Sequence, residues 1–331
     1  MNRINRMNGM SRMNGMNRIN GMSGRLFSKI TGPLVRALLL GALAVQPALS
    51  QTDSTLTLDE EAAEVKTLVS AFNSSYVVNG HSTNTLSPGR LNFFISHRFG
   101  TFDQGPFNLF GLDDSSIRFG FEYGVTSRLT VGLGRSSAGK NYDGFVKYKL
   151  LTQSHGGGAA MPVSVVWFSS TALSAVDWRS QTLNDGRYRF SDYFVYTHQA
   201  LISRRFSSRL SLQLSPTLVH RNKTKTAGEA HDVYALGAGG RLRLTRKLHL
   251  TADYFYTFRH APGVYNPAAV GIDLVTGGHV FQVYLNNAKG IIEKEFLTNT
   301  RSDAAKGQVG FGFTVMRSFV LRPEVKGGKM H

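Results

Sequence analysis

Between residues 90 and 320 the chain returns again and again to strict alternation of apolar and polar residues. Leu91, Phe93, Ile95 and Phe99 alternate with Arg90, Asn92, Ser96 and Arg98. Ile117, Phe119, Phe121 and Tyr123 alternate with Arg118, Gly120, Glu122 and Gly124, and Leu129, Val131 and Leu133 with Thr130, Gly132 and Gly134. The pattern returns at Leu210–Leu218, Tyr234–Leu244, Leu248–Phe258, Phe281–Leu285 and Val309–Val315. A period of two is that of a strand with one apolar and one polar face. No stretch carries a helical period over twelve residues, and no gap marks a second domain.

Turn signals separate these runs: Thr126-Ser127-Arg128, Ser207-Ser208-Arg209 and Thr245-Arg246-Lys247 are short. Gly-, Asp- and Ser-rich gaps at 101–115, 152–160, 176–190, 221–231 and 260–270 are longer. Short and long connections alternate, as in an outer-membrane barrel. About a dozen runs have roughly 9–12 residues, the length a tilted strand needs to cross a bilayer. Segments 65–80, 270–276 and 291–299 read as strand or loop, so the range is 10–14. Pro216 interrupts one run and points to a bulge or strand end there. The expected fold is all-β, an antiparallel up-and-down transmembrane β-barrel. A lipocalin-like barrel and a soluble sandwich use the same alternation with the apolar faces turned inward.

The N-terminal region bears on that choice. Residues 1–21 are a Met-Asn-Arg/Gly repeat without apolar periodicity, a low-complexity leader or an untranslated read-through ahead of Met22. Residues 22–50 have the three parts of a signal peptide: Arg25, Lys29 and Arg36, then the apolar run Ala37–Val45, then Ala48-Leu49-Ser50. Cleavage is expected near Ser50/Gln51. The apolar run is about half of the ~20 residues that span a bilayer. Residues 51–70 form a polar lead-in or short helix, and the amphipathic segment 57–71 is a candidate plug, periplasmic tail or partner-binding helix. The barrel is assigned to 71–320 and a basic tail to 321–331.

Export favours the membrane reading, as do aromatics at strand ends (Tyr142, Tyr148, Tyr193, Tyr254, Tyr256, Phe258). The last run, Gly310–Phe319, resembles the terminal-strand signal by which bacterial outer-membrane barrels are recognised for assembly, although twelve residues follow it. Three further segments, Phe72-Asn73-Ser74-Ser75-Tyr76-Val77-Val78-Asn79-Gly80-His81-Ser82, Ile95–Gly100 and Thr276–Gln282, resemble an uncharacterised family of bacterial β-barrel proteins, known mainly from Bacteroidota genomes and classed as a domain of unknown function. The resemblance spans roughly residues 65–320. It implies an outer-membrane barrel and brings no catalytic residue.

The formal charge of +17 raises a nucleic-acid role. Seven basic residues and no acidic one lie in residues 1–50, which leaves 31 basic against 21 acidic in 51–331. Those that remain alternate across strands and form no nucleic-acid motif. With no Cys there is no thiolate site or disulfide. The ten His residues have no metal-motif spacing, so neither cofactor nor metal is expected. His97 shares parity with the apolar face. His249 and Asp253 share a face about 13 Å apart, too far to act together. Glu293 and Glu295 could face a lumen, or mark a charged strand end or loop. Gly237-Ala238-Gly239-Gly240 reads as close backbone packing, since no helix follows as in a phosphate loop.

If the apolar faces meet lipid, the opposite faces carry Arg90, Arg98, Arg118, Lys147, Lys149, Arg241, Arg243 and Arg259, against Glu122 and Asp253. A basic lumen favours anions. The expected function is porin-like passage of small solutes, anionic ones if the lumen is basic, in contact with outer-membrane lipid and the barrel assembly machinery. Two alternatives stand beside it: a non-conducting structural or partner-docking barrel of the cell envelope, and an outer-membrane hydrolase.

Overall fold

The computed structural model describes residues 67–156, 160–175, 189–224, 228–259 and 261–322. The leader, the signal segment and most of the 51–70 lead-in and the C-terminal tail lie outside them. Twelve strands form the sheet: β1 (Arg90–Thr101), β2 (Ser116–Gly124), β3 (Leu129–Ser136), β4 (Asn141–Leu151), β5 (Ser164–Ser174), β6 (Phe194–Arg205), β7 (Leu210–Arg221), β8 (Asp232–Arg243), β9 (Leu248–Thr257), β10 (Ala268–Thr276), β11 (His279–Asn286) and β12 (Gly310–Val320). Each pairs antiparallel with the next, and β12 pairs with β1, so the sheet closes into a barrel without a free edge.

Three turns share one construction. In each, a hydroxyl accepts from two backbone N–H groups: Thr126 from Arg128 and Leu129, Ser207 from Arg209 and Leu210, Thr245 from Lys247 and Leu248. These are the Thr/Ser-x-x signals of the sequence, and they lie at one end with the start of β1 and the end of β12. The connections after β1, β5, β7, β9 and β11 leave from the other end, with the short turn 137–140, whereas the connection after β4, which holds the 152–160 gap, leaves from the short-turn end and breaks the expected alternation. Pro216 sits inside β7, opposite Leu236. Its ring has no N–H, and the pairing with β6 lapses between Gln199↔Thr217 and Ile202↔Leu214 without a change of register. The bulges are elsewhere, at Lys149/Leu151 and Gly310/Gly312.

The two faces of the sheet are inverted relative to a water-soluble core. Leu133, Trp167, Leu212, Ile272, Val283 and their neighbours are exposed on the outer face, whereas Arg98, Glu122, Lys147 and Gln199 are at most 1% exposed on the inner one. Tyr142, Tyr234, Tyr254 and Tyr256 are exposed towards the long-loop ends of their strands. An apolar outer belt around a polar interior is the pattern of a barrel in lipid. No helix among the described residues is long and apolar enough to cross a membrane; the spans are strands.

Residues 70–89 enter the barrel from the short-turn end, fold back at Val77–Gly80, and lead into β1. Val77 N–H donates to Gly80 O, and Tyr76 and His81 form a bridge across the bend. This segment plugs the interior; residues 57–66 of the candidate segment 57–71 lie outside the described residues. Apart from Phe72, Tyr76, His81 and Leu86 it is made of small polar residues, Gly, Pro, Ala and Val, which suits a narrow interior. The glycines of β8 make room for it. A Cβ at Gly239 would come 3.3 Å from Val77, and one at Gly80 itself would come 2.5 Å from the Phe255 ring.

The connection between β11 and β12 fills the interior from the other end. It carries one helical turn, α1 (Glu293–Thr298), whose Phe296 and Leu297 pack with Val195, Val219, Val233 and Phe255. The inner face is therefore partly apolar, which alternation alone left out. Phe145, Val166, Phe168 and Leu201 form a second inner cluster, and Phe94, Val280 and Met316 a third.

Candidate functional site

The inner face is a set of charged groups, most of them engaged by the two filling segments. Asp253, midway along β9, accepts from the backbone N–H groups of Val78 (3.1 Å), Asn79 (2.6 Å) and Gly80 (3.0 Å) and from Asn79 Nδ2 (2.9 Å). A carboxylate facing successive N–H groups of a bend is a strong clamp, because every bond is charge-assisted. Opposite it, Lys147 of β4 donates to Ser75 O at 2.9 Å and Asn84 O at 3.4 Å, one on each limb of the plug. Glu122 accepts from Ser75 Oγ at 2.5 Å. Gln213 bonds Thr83 N–H and His81 O, and Gln282 Nε2 donates to Val77 O.

The second filling segment is held in the same manner. Arg98 donates to the carbonyls of Ala288 and Gly290, and Ser116 Oγ to Lys289 O. Arg118 is paired bidentately with Asp143 at 2.5 and 3.0 Å and also reaches Tyr76 Oη. Glu295 accepts from Asn141 Nδ2 at 2.7 Å.

The plug and the loop meet at His81 and Glu293, whose Nε2 and Oε1 atoms are 3.7 Å apart and almost fully buried. The imidazole of His81 lies among Tyr76, Phe145 and Phe168, with ring centroids at 4.2, 4.7 and 4.3 Å. Burial, with Lys147 and Arg118 adding to it, holds His81 well below its ordinary range. Burial pushes the Glu293 carboxyl up to about 7, and it likewise raises the Tyr76 phenol. The cavity left at this junction is about 10 Å³, the threshold for a single water. At the short-turn end a wider vestibule of about 570 Å³ opens between Ala71, Leu86, Arg128 and Lys149.

The residues expected to line the lumen divide as follows. Arg98, Arg118, Lys147 and Arg241 are buried on inner faces, as are Glu122 and Asp253; Lys149 and Arg243 are half-buried near the short-turn end. Arg90 is exposed where β1 starts. Arg259 departs from the expectation, because β9 ends at Thr257 and Arg259 is exposed in the following loop. The carboxylates Asp143 and Asp273 were missed. Asp143 has the parity of Lys147 and pairs with Arg118; Asp273 lies on β10, in the segment left open between strand and loop. The inner face is thus more balanced in charge than eight cations against two carboxylates.

Other candidates separate. His249 and Asp253 face the same way but have different partners, Asn73 for His249 and the bend of the plug for Asp253. Glu293 and Glu295 belong to α1, not to a strand. His97 lies on the outer face, stacked on Phe313 at 5.4 Å. Among the described residues no group of three or more His, Asp or Glu is placed to hold a metal ion.

A family model described as a membrane bound beta barrel domain (DUF5777) matches residues 72–319. The chain belongs to this family. The match begins at Phe72, so the DUF5777 unit takes in the plug together with the barrel. No curated protein matches the chain. Solved structures that resemble it are membrane proteins. The NanC porin is 8% identical over 69% of this chain and 98% of its own, with a TM-score of 0.44. The KdgM porin is 10% identical over 70% and 99%, with a TM-score of 0.41. An outer membrane channel from Pseudomonas putida F1 is 15% identical over 72% and 98%, with a TM-score of 0.40.

Proposed function

We propose that this DUF5777 barrel resides in the outer membrane and passes small solutes in a porin-like manner, with anions preferred and with residues 70–89 as its gate. Its route there is export on residues 22–50, cleavage near Ser50/Gln51, and assembly by the barrel machinery through Gly310–Phe319. The short turns then face the periplasm. One observation carries the gate. Apart from backbone bonds at Gly89, where it joins β1, the plug is held to the wall through side chains and not by a strand ladder, so it can move without opening the sheet. Displacing it frees Lys147 and exposes Arg118, cations on the inner face that favour anions.

The test is planar-bilayer conductance of the folded protein against Asp253→Asn. Replacing the carboxylate removes the charge that clamps three N–H groups, so the variant is expected to open more often than the parent. A folded Asp253→Asn barrel that never conducts would turn the assignment to a second reading, a partner-docking barrel with no pore. The sealed contact between His81 and Glu293 favours that reading.

A further inference from the structure

Near the short-turn end of the inner face, a group of basic side chains has N–H donors that neither filling segment takes up. Arg241 of β8 is 6% exposed, yet its Nε and Nη1 have no hydrogen-bond partner. His249 of β9 is 1% exposed, and its Nδ1 has none either. Register makes these two side chains neighbours: Arg241 is opposite Thr251, and His249 is opposite Arg243. Diagonal positions of this kind are about 7–8 Å apart, within reach of long side chains. Two further cations bear on the same point. Arg205 of β6 and Arg241 are both opposite Ser211 of β7, and Arg205 and Arg243 repel Arg241.

The tautomer of His249 completes the donor set. Asn73 Nδ2 donates to His249 Nε2 at 3.4 Å, so the neutral ring carries its proton on Nδ1. Arg241 Nε–H and Nη1–H and His249 Nδ1–H are then buried donors on adjacent strands, with no acceptor among the described residues. Leaving such groups unpaired costs about 1–3 kcal/mol each, more where they are charged. Among the described residues, the carboxylate that adjoins this group is Asp273, opposite His249 on β10; its Oδ1 accepts from Thr251 Oγ1 at 3.1 Å and Gln282 Nε2 at 2.8 Å and makes no hydrogen bond to Arg241 or His249.

We propose that Arg241 and His249, flanked by Arg205 and Arg243, form a binding site for a small oxyanion, a phosphate or a carboxylate. A planar guanidinium edge beside an imidazole N–H suits two oxygens of one anionic group. Because Asn73 holds the other face of His249, the site adjoins the plug. The site rests on the passage reading only in taking the bound anion as cargo.

The experiment is isothermal titration of the detergent-folded full chain with inorganic phosphate and, separately, with succinate, in a chloride background. Folding of every variant is checked by the shift in gel mobility between unboiled and boiled samples. Saturable binding is expected, weakened at least tenfold by Arg241→Gln, partly restored by Arg241→Lys, and weakened by His249→Phe. Asp273→Asn should tighten it severalfold, because it removes the competing negative charge. Arg135→Gln, on the outer face beside Tyr142, should leave it unchanged. Phosphate alone, or succinate alone, would fix which anionic group the site takes. Absence of saturable binding to both, or equal affinity in folded Arg241→Gln, would overturn the proposal. Binding is read at equilibrium without flux, so a barrel that binds but never conducts fails the passage reading and keeps the site.

Discussion

At the scale of single residues, the junction of His81 and Glu293 sets a pH response with a definite sign. The folded value of His81 lies below its ordinary 6.5, so its contribution to stability is complete above pH 6.5 and is lost as the pH falls through the folded value. The Glu293 carboxyl is raised from 4.5 to about 7, so its contribution is complete below pH 4.5 and is lost as the pH rises through 7. Between pH 4.5 and 6.5 the two slopes oppose each other. Arg118, Lys147, Asp143 and Tyr76 face the same junction and are present in both single variants. Glu293→Gln should therefore leave a barrel that loses stability on acidification from pH 6.5. His81→Gln should leave one that loses stability as the pH rises from 4.5 to 7. The midpoint of the heat-dependent mobility shift, followed against pH, reads both; parallel profiles in the two variants would sink the account. A simpler expectation attaches to Asp253→Ala. It strips four charge-assisted bonds from the bend of the plug and should lower stability by about 3 kcal/mol or more, measured by denaturant unfolding.

At the scale of elements, the strands were legible and the filling segments were not, for a physical reason. A strand between lipid and lumen needs opposite solvents on its two faces, and that need writes a period of two into β1, β2, β7 and β9. The plug has one environment all round, so Phe72–Ser82 shows no period; what the sequence carries there is the Asn79-Gly80 turn pair, which is where the bend falls, and the resemblance to a family. Residues 291–299 misled for a related reason. Ile291-Ile292-Glu293-Lys294-Glu295-Phe296 fits an alternating pattern locally, yet Phe296 and Glu295 are both buried because α1 is enclosed on every side. Asp143 was overlooked although it lies two residues before Phe145 and four before Lys147, on their face; its value came from Arg118 on another strand, which no local pattern records. The enclosure of α1 also yields a prediction. Phe296 is fully buried against Phe255 at 5.1 Å, with Val219 and Val233 in the same cluster. Phe296→Ala should cost about 3–5 kcal/mol through the cavity it leaves. Limited proteolysis should then cut within 287–309 sooner than in the parent, whereas the strand ladder stays protected; unaltered cleavage would mean that α1 is held by its polar contacts alone.

At the scale of the whole molecule, twelve strands close on themselves through backbone bonds, and β1 reaches β12 without help from the interior. The filling segments touch the wall only through side chains such as Asp253, Lys147, Gln213 and Arg98, apart from short backbone contacts where they enter. Membrane insertion depends on the outer belt, which the plug does not contact. Folding of the barrel and closure of the lumen are thus separable. Deleting residues 70–86 should leave a protein that inserts into detergent or lipid and still migrates faster unboiled than boiled. Such a barrel should conduct where the parent stays mostly shut. Its reversal potential in a salt gradient should report anion preference, because Lys147 loses its carbonyl partners while Arg118 keeps only Asp143. Lys147→Glu in the deleted barrel should reduce that preference. A deletion that abolishes the mobility shift would show instead that the plug belongs to the folding core, and a folded but silent deletion would leave the β11–β12 connection as sufficient to seal the lumen by itself.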